Sequence, residues 1–295
     1  MKKSYLFPGQ GSQKTGMGVD HYRFDSKFAR RCNLANDILG YQLTDIMFKG
    51  PDETLTQTQY TQPALFVHAF ALYELLGHLP DMVAGHSLGE FTALAAAGVL
   101  DFEDALKAVQ KRGNLMQSAG ETAPGTMAAV IGIDDTTVEE VCRNVSEEPD
   151  SIVVPANYNT EGQLVISGHV DAVESAMEKL KESGAKIVKK LPVSGAFHSS
   201  LMGPAREELN KILDELEFLA PSAVVYSNVS GTGTIDPELL KINLKEQLLN
   251  PVRWTQTLQS MYEDGARHFI EVGSGKVLQG LVKRTLKQVE ISGFE

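Results

Sequence analysis

The stretch that decides the fold spans residues 82–97 and reads MVAGHSLGEFTALAAA. Residues 82–84 are apolar and predict a very short buried strand, whereas residues 88–97 are rich in helix formers. Between these two segments Ser87 has a glycine two positions away on either side. This Gly-x-Ser-x-Gly pattern is typical of a sharp strand-to-helix turn, in which glycines relieve crowding around a strained serine. The stretch therefore predicts that Ser87 is a nucleophile that forms a covalent acyl-serine.

Short β-like runs alternate with helix-like segments on both sides of this turn, which is the pattern of a layered α/β fold. After Pro124 the predicted order changes to β-α-β-β-α-β, typical of a ferredoxin-like unit. We therefore predict an α/β-hydrolase-like large domain with a parallel sheet at its core, formed by residues 1–123 and 195–295. The inserted ferredoxin-like small subdomain is predicted to comprise residues 124–194.

Composition excludes several classes of function. The formal net charge of −11 argues against a general nucleic-acid binder, which needs dense positive charge. The longest uncharged apolar run, residues 91–100, is shorter than the roughly 20 residues that span a bilayer. The two cysteines, Cys32 and Cys142, lie far apart and form no metal-binding pattern. We expect a cytoplasmic protein with free thiols, no metal, no cofactor and no affinity for membranes.

A serine nucleophile needs a general base, and the chain has seven histidines. His86 adjoins Ser87, but neighbours along such a turn point in different directions, so we expect His86 to support the turn. His198 lies in a loop of small residues where the chain returns to the large domain. Composition alone makes His198 only slightly preferable to the other histidines.

Three further residues are candidates for the site. Leu88 begins the helix after the serine, so its backbone N–H is the natural first donor to an oxyanion. Gln10 lies in the loop after the first predicted strand, and such loops converge at the carboxyl ends of parallel strands. This loop lacks the glycine spacing of nucleotide-binding loops, and a backbone donor is the better interpretation. Arg112 lies on the next predicted helix. Its guanidinium is either solvated or binds a substrate carboxylate through two parallel hydrogen bonds.

Seven motifs resemble, in order along the chain, those of the malonyl-CoA:acyl-carrier-protein transacylases of fatty-acid and polyketide synthesis. They are FPGQGSQ (7–13), TQPALF (61–66), GHSLGE (85–90), KRGNLMQ (111–117), GAFHSSLM (195–202), NPVRW (250–254) and EVGSGKVLQGL (271–281). The resemblance implies a ping-pong transfer of malonyl from malonyl-CoA to the phosphopantetheine thiol of acyl carrier protein. It also implies a monomer, because members of this family are usually monomeric.

The resemblance assigns roles to individual residues. It implies that His198 is the general base for Ser87 and that the backbone carbonyl of Gln247 orients His198. Backbone N–H groups of Gln10 and Leu88 are implied to bind the oxyanion, and Arg112 the malonyl carboxylate. Phe197 is implied to fill the space that an α-methyl group needs, which favours malonyl over methylmalonyl.

Three alternatives remain open at this point. A free-standing acyltransferase of a polyketide assembly line would use the same serine and histidine. An acyl-thioester or ester hydrolase shares the serine turn, but it has no reason to place Arg112 beside its acyl group. A catalytically silent docking module would not need the intact set of candidate residues.

Overall fold

The computed structural model describes residues 2–147, 151–193 and 195–295. Within these residues the chain forms ten strands, thirteen α-helices and two short 3-10 turns. The first elements are β1 (Lys2–Phe7), α1 (Val19–Phe24), α2 (Ser26–Leu39), α3 (Leu43–Lys49), α4 (Asp52–Leu55), α5 (Thr58–Leu76), β2 (Met82–Gly85), α6 (Gly89–Ala96) and α7 (Phe102–Thr122). Next come β3 (Gly125–Ile131), α8 (Asp135–Val145), β4 (Val153–Thr160), β5 (Gln163–His169), α9 (Val170–Glu182) and β6 (Ile187–Lys190). The remaining elements are a 3-10 turn (Ser200–Met202), α10 (Gly203–Glu215), β7 (Val224–Tyr226), β8 (Gly233–Thr234), α11 (Pro237–Glu246), a second 3-10 turn (Gln247–Leu249), α12 (Trp254–Glu263), β9 (Ala266–Val272), α13 (Val277–Thr285) and β10 (Glu290–Phe294).

The large domain is built on a six-stranded sheet in the order β10-β9-β1-β2-β7-β8. Its strands pair in parallel except β8, which is antiparallel to β7. In the central pair Phe7 of β1 lies opposite Gly85 of β2. Both strands therefore end at the same level, and the loop after β1 meets the turn after β2 at one edge of the sheet.

The small subdomain is an antiparallel four-stranded sheet in the order β4-β5-β3-β6. Helices α8 and α9 pack against this sheet around a separate apolar core. The predicted fold class, a parallel α/β core with a separate antiparallel subdomain, is confirmed. The boundaries at 124 and 194 stay predictions, and Ser194 lies outside the described residues.

The two parts of the molecule are joined by backbone hydrogen bonds as well as by the chain itself. Val252 of the large domain forms a parallel bridge with Asn157 of β4. Its N–H donates to the carbonyl of Ala156, and its carbonyl accepts from the N–H of Tyr158, each at 2.9 Å. Because β4 is an edge strand of the small sheet, these bonds satisfy backbone groups that would otherwise be unpaired.

The structure differs from the sequence-based prediction in three places. The sequence pattern does not predict helices α1 to α4 or strands β8 and β10. The apolar spacing predicts a helix over residues 62–76, but helix α5 begins one turn earlier, at Thr58, and contains Pro63. Proline removes one helical hydrogen bond, and burial of the residues around it offsets that loss. The sequence pattern also predicts one helix over residues 238–249, but α11 ends at Glu246 and the chain continues as a 3-10 turn that begins with Gln247.

The described part of the chain contains no helix whose length and apolar character suit a membrane crossing.

The serine turn depends on close backbone contacts. A Cβ atom on Gly89 would lie 2.1 Å from the carbonyl oxygen of Phe7, far inside van der Waals distance. We predict that Gly89→Ala lowers the free energy of unfolding by about 3 kcal/mol or more, because backbone atoms of β1 cannot move away. Thermal or urea denaturation followed by circular dichroism would measure this change.

Gly203→Ala is the matched control, since a Cβ atom there would meet nothing within 4 Å and the residue is helical. We expect the control to be neutral or to stabilise the protein by about 0.5 kcal/mol. Equal stability of the two variants would contradict the proposed role of the Gly89 contact.

Candidate active site

Ser87 lies at the turn between β2 and α6 in a left-handed backbone conformation, with φ of 51°. Such a conformation is strained for a residue with a side chain. The side chain of Asn228 holds the turn from both sides. Its Oδ1 accepts from the N–H of Ser87, and its Nδ2 donates to the carbonyl of Gly85, each at 2.7 Å. Since the Ser87 N–H is occupied, it cannot donate to a reacting carbonyl oxygen in this arrangement.

His198 is hydrogen-bonded to Ser87, with 2.8 Å between His198 Nε2 and Ser87 Oγ. The other ring nitrogen, Nδ1, lies 3.0 Å from the carbonyl oxygen of Gln247 and 3.1 Å from that of Asn250. Carbonyl oxygens only accept, which assigns the ring hydrogen to Nδ1. His198 Nε2 is therefore free to take the proton of the serine hydroxyl.

The 3-10 turn over Gln247–Leu249 explains how the Gln247 carbonyl reaches His198. Within a continuous α-helix this carbonyl would accept from the N–H four residues later. Here it makes a longer bond of 3.4 Å with the N–H of Asn250 and also accepts from the imidazole. The end of α11 at Glu246 thus leaves this carbonyl available for His198.

The pKa of His198 is lowered to about 3, chiefly by burial of the ring and next by the charge of Arg112. The hydrogen bond to the Gln247 carbonyl opposes this shift but does not cancel it. The imidazole is consequently neutral at physiological pH, which is the protonation state that a general base requires.

Arg112 lies on α7 and is fully buried, with 0% of its surface exposed. In the described residues its three hydrogen bonds reach neutral oxygen atoms: Gln62 Oε1 at 2.8 Å, Gln247 Oε1 at 3.0 Å and Ser87 Oγ at 3.1 Å. Its Nε has no hydrogen-bond partner in the same part of the chain. Burial lowers the pKa of Arg112 to about 10, so the guanidinium is still charged near neutral pH. The structure thus places beside Ser87 a cation that has no direct ion-pair partner among the described residues.

Four of the candidate residues line a cavity of about 340 Å³ between the large domain and the small subdomain, whereas Leu88, Arg112 and Gln247 are not among its lining residues. Ser87, His198, Gln10 and Phe197 all line it. Its walls are otherwise largely apolar and come from both parts of the molecule: Met127, Val165, Leu191 and Val193 on one side, and Val277, Leu278 and Leu281 on the other.

Gln10 and Leu88 were predicted to supply backbone donors. Neither N–H donates to an acceptor within the described residues. The side chain of Gln10 donates to Thr58 Oγ1 at 3.2 Å. The two N–H groups are thus available, and their role in binding an oxyanion stays a prediction.

Sequence reasoning missed several polar residues of the site. Asn228 follows β7, and the rule that strand ends converge on the site is a signal that points to it. No comparable signal marks Gln62, which binds Arg112.

His86 reaches across to the small subdomain, where its Nε2 lies 2.9 Å from Asn159 Oδ1. Arg112 is buried, so the interpretation of this residue as a solvated surface arginine is wrong.

The parallel α/β core, the strained serine and the histidine at its hydroxyl define a class of enzymes that act through serine on acyl groups. Residues 4–293 match the acyl transferase domain family. The chain belongs to this family and is an acyltransferase.

Individual relatives span the whole chain. It is 41% identical to the malonyl CoA-acyl carrier protein transacylase of Staphylococcus aureus (strain COL), covering 100% of this chain and 96% of the relative. Identity to the protein of the same name from Bacillus subtilis (strain 168) is 43%, with coverage of 100% and 94%.

Solved structures agree with this assignment. The crystal structure of an acyl carrier protein S-malonyltransferase from Vibrio cholerae superposes with a TM-score of 0.95 at 43% identity, covering 99% of this chain and 96% of that chain. A type II PKS acyl-carrier protein in complex with its malonyl-transacylase gives a TM-score of 0.94 at 38% identity, with coverage of 99% and 95%.

The lowered pKa of His198 gives a pH prediction. An imidazole with the ordinary pKa of 6.5 would keep only roughly 3% of its neutral form at pH 5. Because the pKa of His198 lies near 3, we predict that a neutral serine reagent such as phenylmethylsulfonyl fluoride labels Ser87 almost equally fast at pH 8 and pH 5. Intact-protein mass spectrometry over time would measure the rate, with circular dichroism as a control for folding. A rate that falls roughly thirtyfold from pH 8 to pH 5, as the neutral fraction of an ordinary imidazole does, would contradict the prediction.

Proposed function

We propose that this acyltransferase carries malonyl from malonyl-CoA to the phosphopantetheine thiol of acyl carrier protein through a malonyl-Ser87 intermediate. One observation supports malonyl over other acyl groups. The buried Arg112 guanidinium lacks an ion-pair partner in the described chain and donates to Ser87 Oγ at 3.1 Å. A cation in this place suits an acyl group that ends in a carboxylate. The names of the relatives support the donor and the acceptor.

In the first half-reaction Ser87 Oγ attacks the thioester carbonyl of malonyl-CoA while His198 Nε2 accepts the hydroxyl proton. The carbonyl oxygen becomes an oxyanion, which the backbone N–H groups of Gln10 and Leu88 stabilise. The C–S bond then breaks, and the imidazolium of His198 returns its proton to the CoA sulfur. CoA leaves as a thiol, and Ser87 carries the malonyl ester.

The second half-reaction runs the same steps with the carrier thiol. His198 accepts the thiol proton, the sulfur attacks the ester carbonyl, and the C–O bond to Ser87 breaks. The serine oxygen takes the proton back from His198, which regenerates the free enzyme. The backbone carbonyls at Nδ1 orient the imidazole, although they stabilise imidazolium less than a carboxylate would.

Two residues set the acyl specificity in this proposal. Arg112 binds the malonyl carboxylate, which separates malonyl from acetyl and from the neutral acyl groups of a hydrolase. Phe197 is buried against the cavity next to His198 and occupies space that an α-methyl group would need. Loss of such a fit is worth about 1–3 kcal/mol, which favours malonyl over methylmalonyl.

The same chemistry serves fatty-acid and polyketide synthesis, and one structural relative is bound to a type II PKS carrier. We infer fatty-acid synthesis as the first candidate and a free-standing polyketide acyltransferase as the second. Comparing transfer to carriers of both kinds distinguishes them. The monomeric state and the cytoplasmic location stay predictions.

Acyl labelling tests the proposed function directly. We predict that the protein mixed with malonyl-CoA, without a carrier, gains about one malonyl group, located on Ser87. Intact-protein mass spectrometry and peptide mapping would measure it. Ser87→Ala should gain none, and His198→Ala should gain it orders of magnitude more slowly. An adduct on another residue, or no adduct, would refute the mechanism.

Removal of Arg112 tests the specificity. We predict that Arg112→Ala lowers kcat/KM for malonyl-CoA about 100-fold, because the acyl carboxylate then loses its charge-assisted hydrogen bonds. Acetyl-CoA has no carboxylate and should be affected about threefold at most. Arg112→Lys keeps the charge without the fork and should lie between the two. Equal losses for both substrates would make Arg112 a purely structural residue.

A further inference from the structure

A buried carboxylate, Glu90, lies on the far side of the Gln247 side chain from Arg112. It is in the first turn of α6 and is 1% exposed. Glu90 Oε2 accepts from Gln247 Nε2 at 2.6 Å and from the N–H of Asn228 at 3.2 Å. Burial of a carboxylate is strongly unfavourable without partners, and the proposed reaction steps do not use this one.

The contacts of the Gln247 side chain allow only one orientation of its amide. Gln247 Oε1 accepts from Arg112, and Nε2 donates to Glu90 and, at 3.0 Å, to the carbonyl oxygen of Ser87. A guanidinium only donates, whereas a carboxylate and a carbonyl only accept. An amide rotated by 180° would put its NH2 group against Arg112 and its oxygen against two acceptors. Glu90 thus helps to keep the Gln247 oxygen turned towards Arg112.

Glu90 also balances the charge of Arg112 without touching it. The charge of Glu90 opposes the lowering of the Arg112 pKa that burial causes. The hydrogen bonds of Arg112 in the described residues nevertheless go to glutamine and serine oxygens. A direct ion pair would occupy the donors that an acyl carboxylate needs. A carboxylate one amide group away stabilises the cation, while the Arg112 donors stay bonded only to neutral oxygens that an acyl carboxylate can displace.

We propose that Glu90 is a positioning residue that acts through the Gln247 amide to hold Arg112 in place for the carboxylate of the acyl group. The inference rests on the proposed function, because it requires that Arg112 binds this carboxylate. Glu90 touches neither the acyl group nor the thioester in this proposal. Its removal should therefore weaken use of malonyl-CoA, mainly through KM, and leave acetyl-CoA nearly unaffected.

The test compares Glu90→Gln with the wild type in acylation by malonyl-CoA and by acetyl-CoA. This substitution keeps the shape and one acceptor oxygen but removes the charge, so the Gln247 amide loses its fixed orientation on that side. Burial raises the pKa of Glu90 to about 7, and assays at pH 8 therefore compare a mostly ionised carboxylate with a neutral amide. We expect kcat/KM for malonyl-CoA to fall about tenfold or more, and that for acetyl-CoA to change less than about threefold.

Glu103→Gln is the matched control. It makes the same chemical change on the exposed surface of α7, where Glu103 pairs with Lys107 at 2.7 Å, and should leave both reactions unchanged. In an Arg112→Ala background, Glu90→Gln should change the malonyl-to-acetyl ratio less than about twofold, since its effect passes through Arg112. If Glu90→Gln does not fold, Glu90→Asp withdraws the carboxylate from the Gln247 amide by one methylene and should show the same selective loss of malonyl-CoA use.

The outcomes separate the two proposals. Equal losses for both substrates, or no loss, in Glu90→Gln overturn the role of Glu90. An undiminished effect in the Arg112→Ala background overturns it as well. If Arg112→Ala itself shows no selective loss of malonyl transfer, the proposed function fails together with this inference. If only Arg112→Ala shows the selective loss, the proposed function stands and only the proposed role of Glu90 is refuted.

Discussion

The left-handed backbone of Ser87 is the constraint on which the rest of the site depends. A residue with a side chain adopts this conformation only where its surroundings compensate for the strain. Here the neighbouring glycines let β1, β2 and α6 approach at backbone contact distance, and Asn228 bonds the turn on both sides. The serine hydroxyl consequently projects from the start of a helix towards His198. Loss of either support would move the nucleophile relative to a base that other elements hold in place.

The second constraint is electrostatic. The site encloses Arg112, Glu90 and the imidazole of His198 at a depth where water does not screen their charges. The Gln247 side chain lies between Arg112 and Glu90, and the Ser87 hydroxyl lies between Arg112 and His198. Among the described residues no charged pair of this site is in direct contact. Burial and the charge of Arg112 lower the pKa of His198 and keep it neutral, while the charge of Glu90 opposes the lowering of the Arg112 pKa. A directly paired arginine would be more stable but less receptive to an anionic ligand.

The sequence predicts the parts of this site that depend on local geometry. The serine turn needs glycines at fixed spacing, and this pattern is visible in residues 85–89 without knowledge of the rest of the chain. His198 and Gln247 depend on contacts between segments far apart in the sequence, and only the resemblance to a family identified them. The burial of Arg112 is also a tertiary property, because a lysine-arginine pair on an amphipathic helix usually faces solvent. Helices α1, α3 and α4 have at most seven residues, too few to show an apolar period. Helix α2 does carry one, in Phe28, Cys32, Ala35 and Leu39, and this signal was overlooked.

The bridge between Val252 and β4 has a consequence for the modularity of the fold. The small sheet resembles an independent unit in its strand order and its own core, but its edge strand is completed by a residue of the large domain. Excision of the insertion would leave Val252 without its partners, and expression of the insertion alone would expose the β4 edge as a template for aggregation. The insertion therefore cannot be exchanged between relatives by itself. Chimaeras between relatives would need to transfer the small sheet together with the segment around Val252.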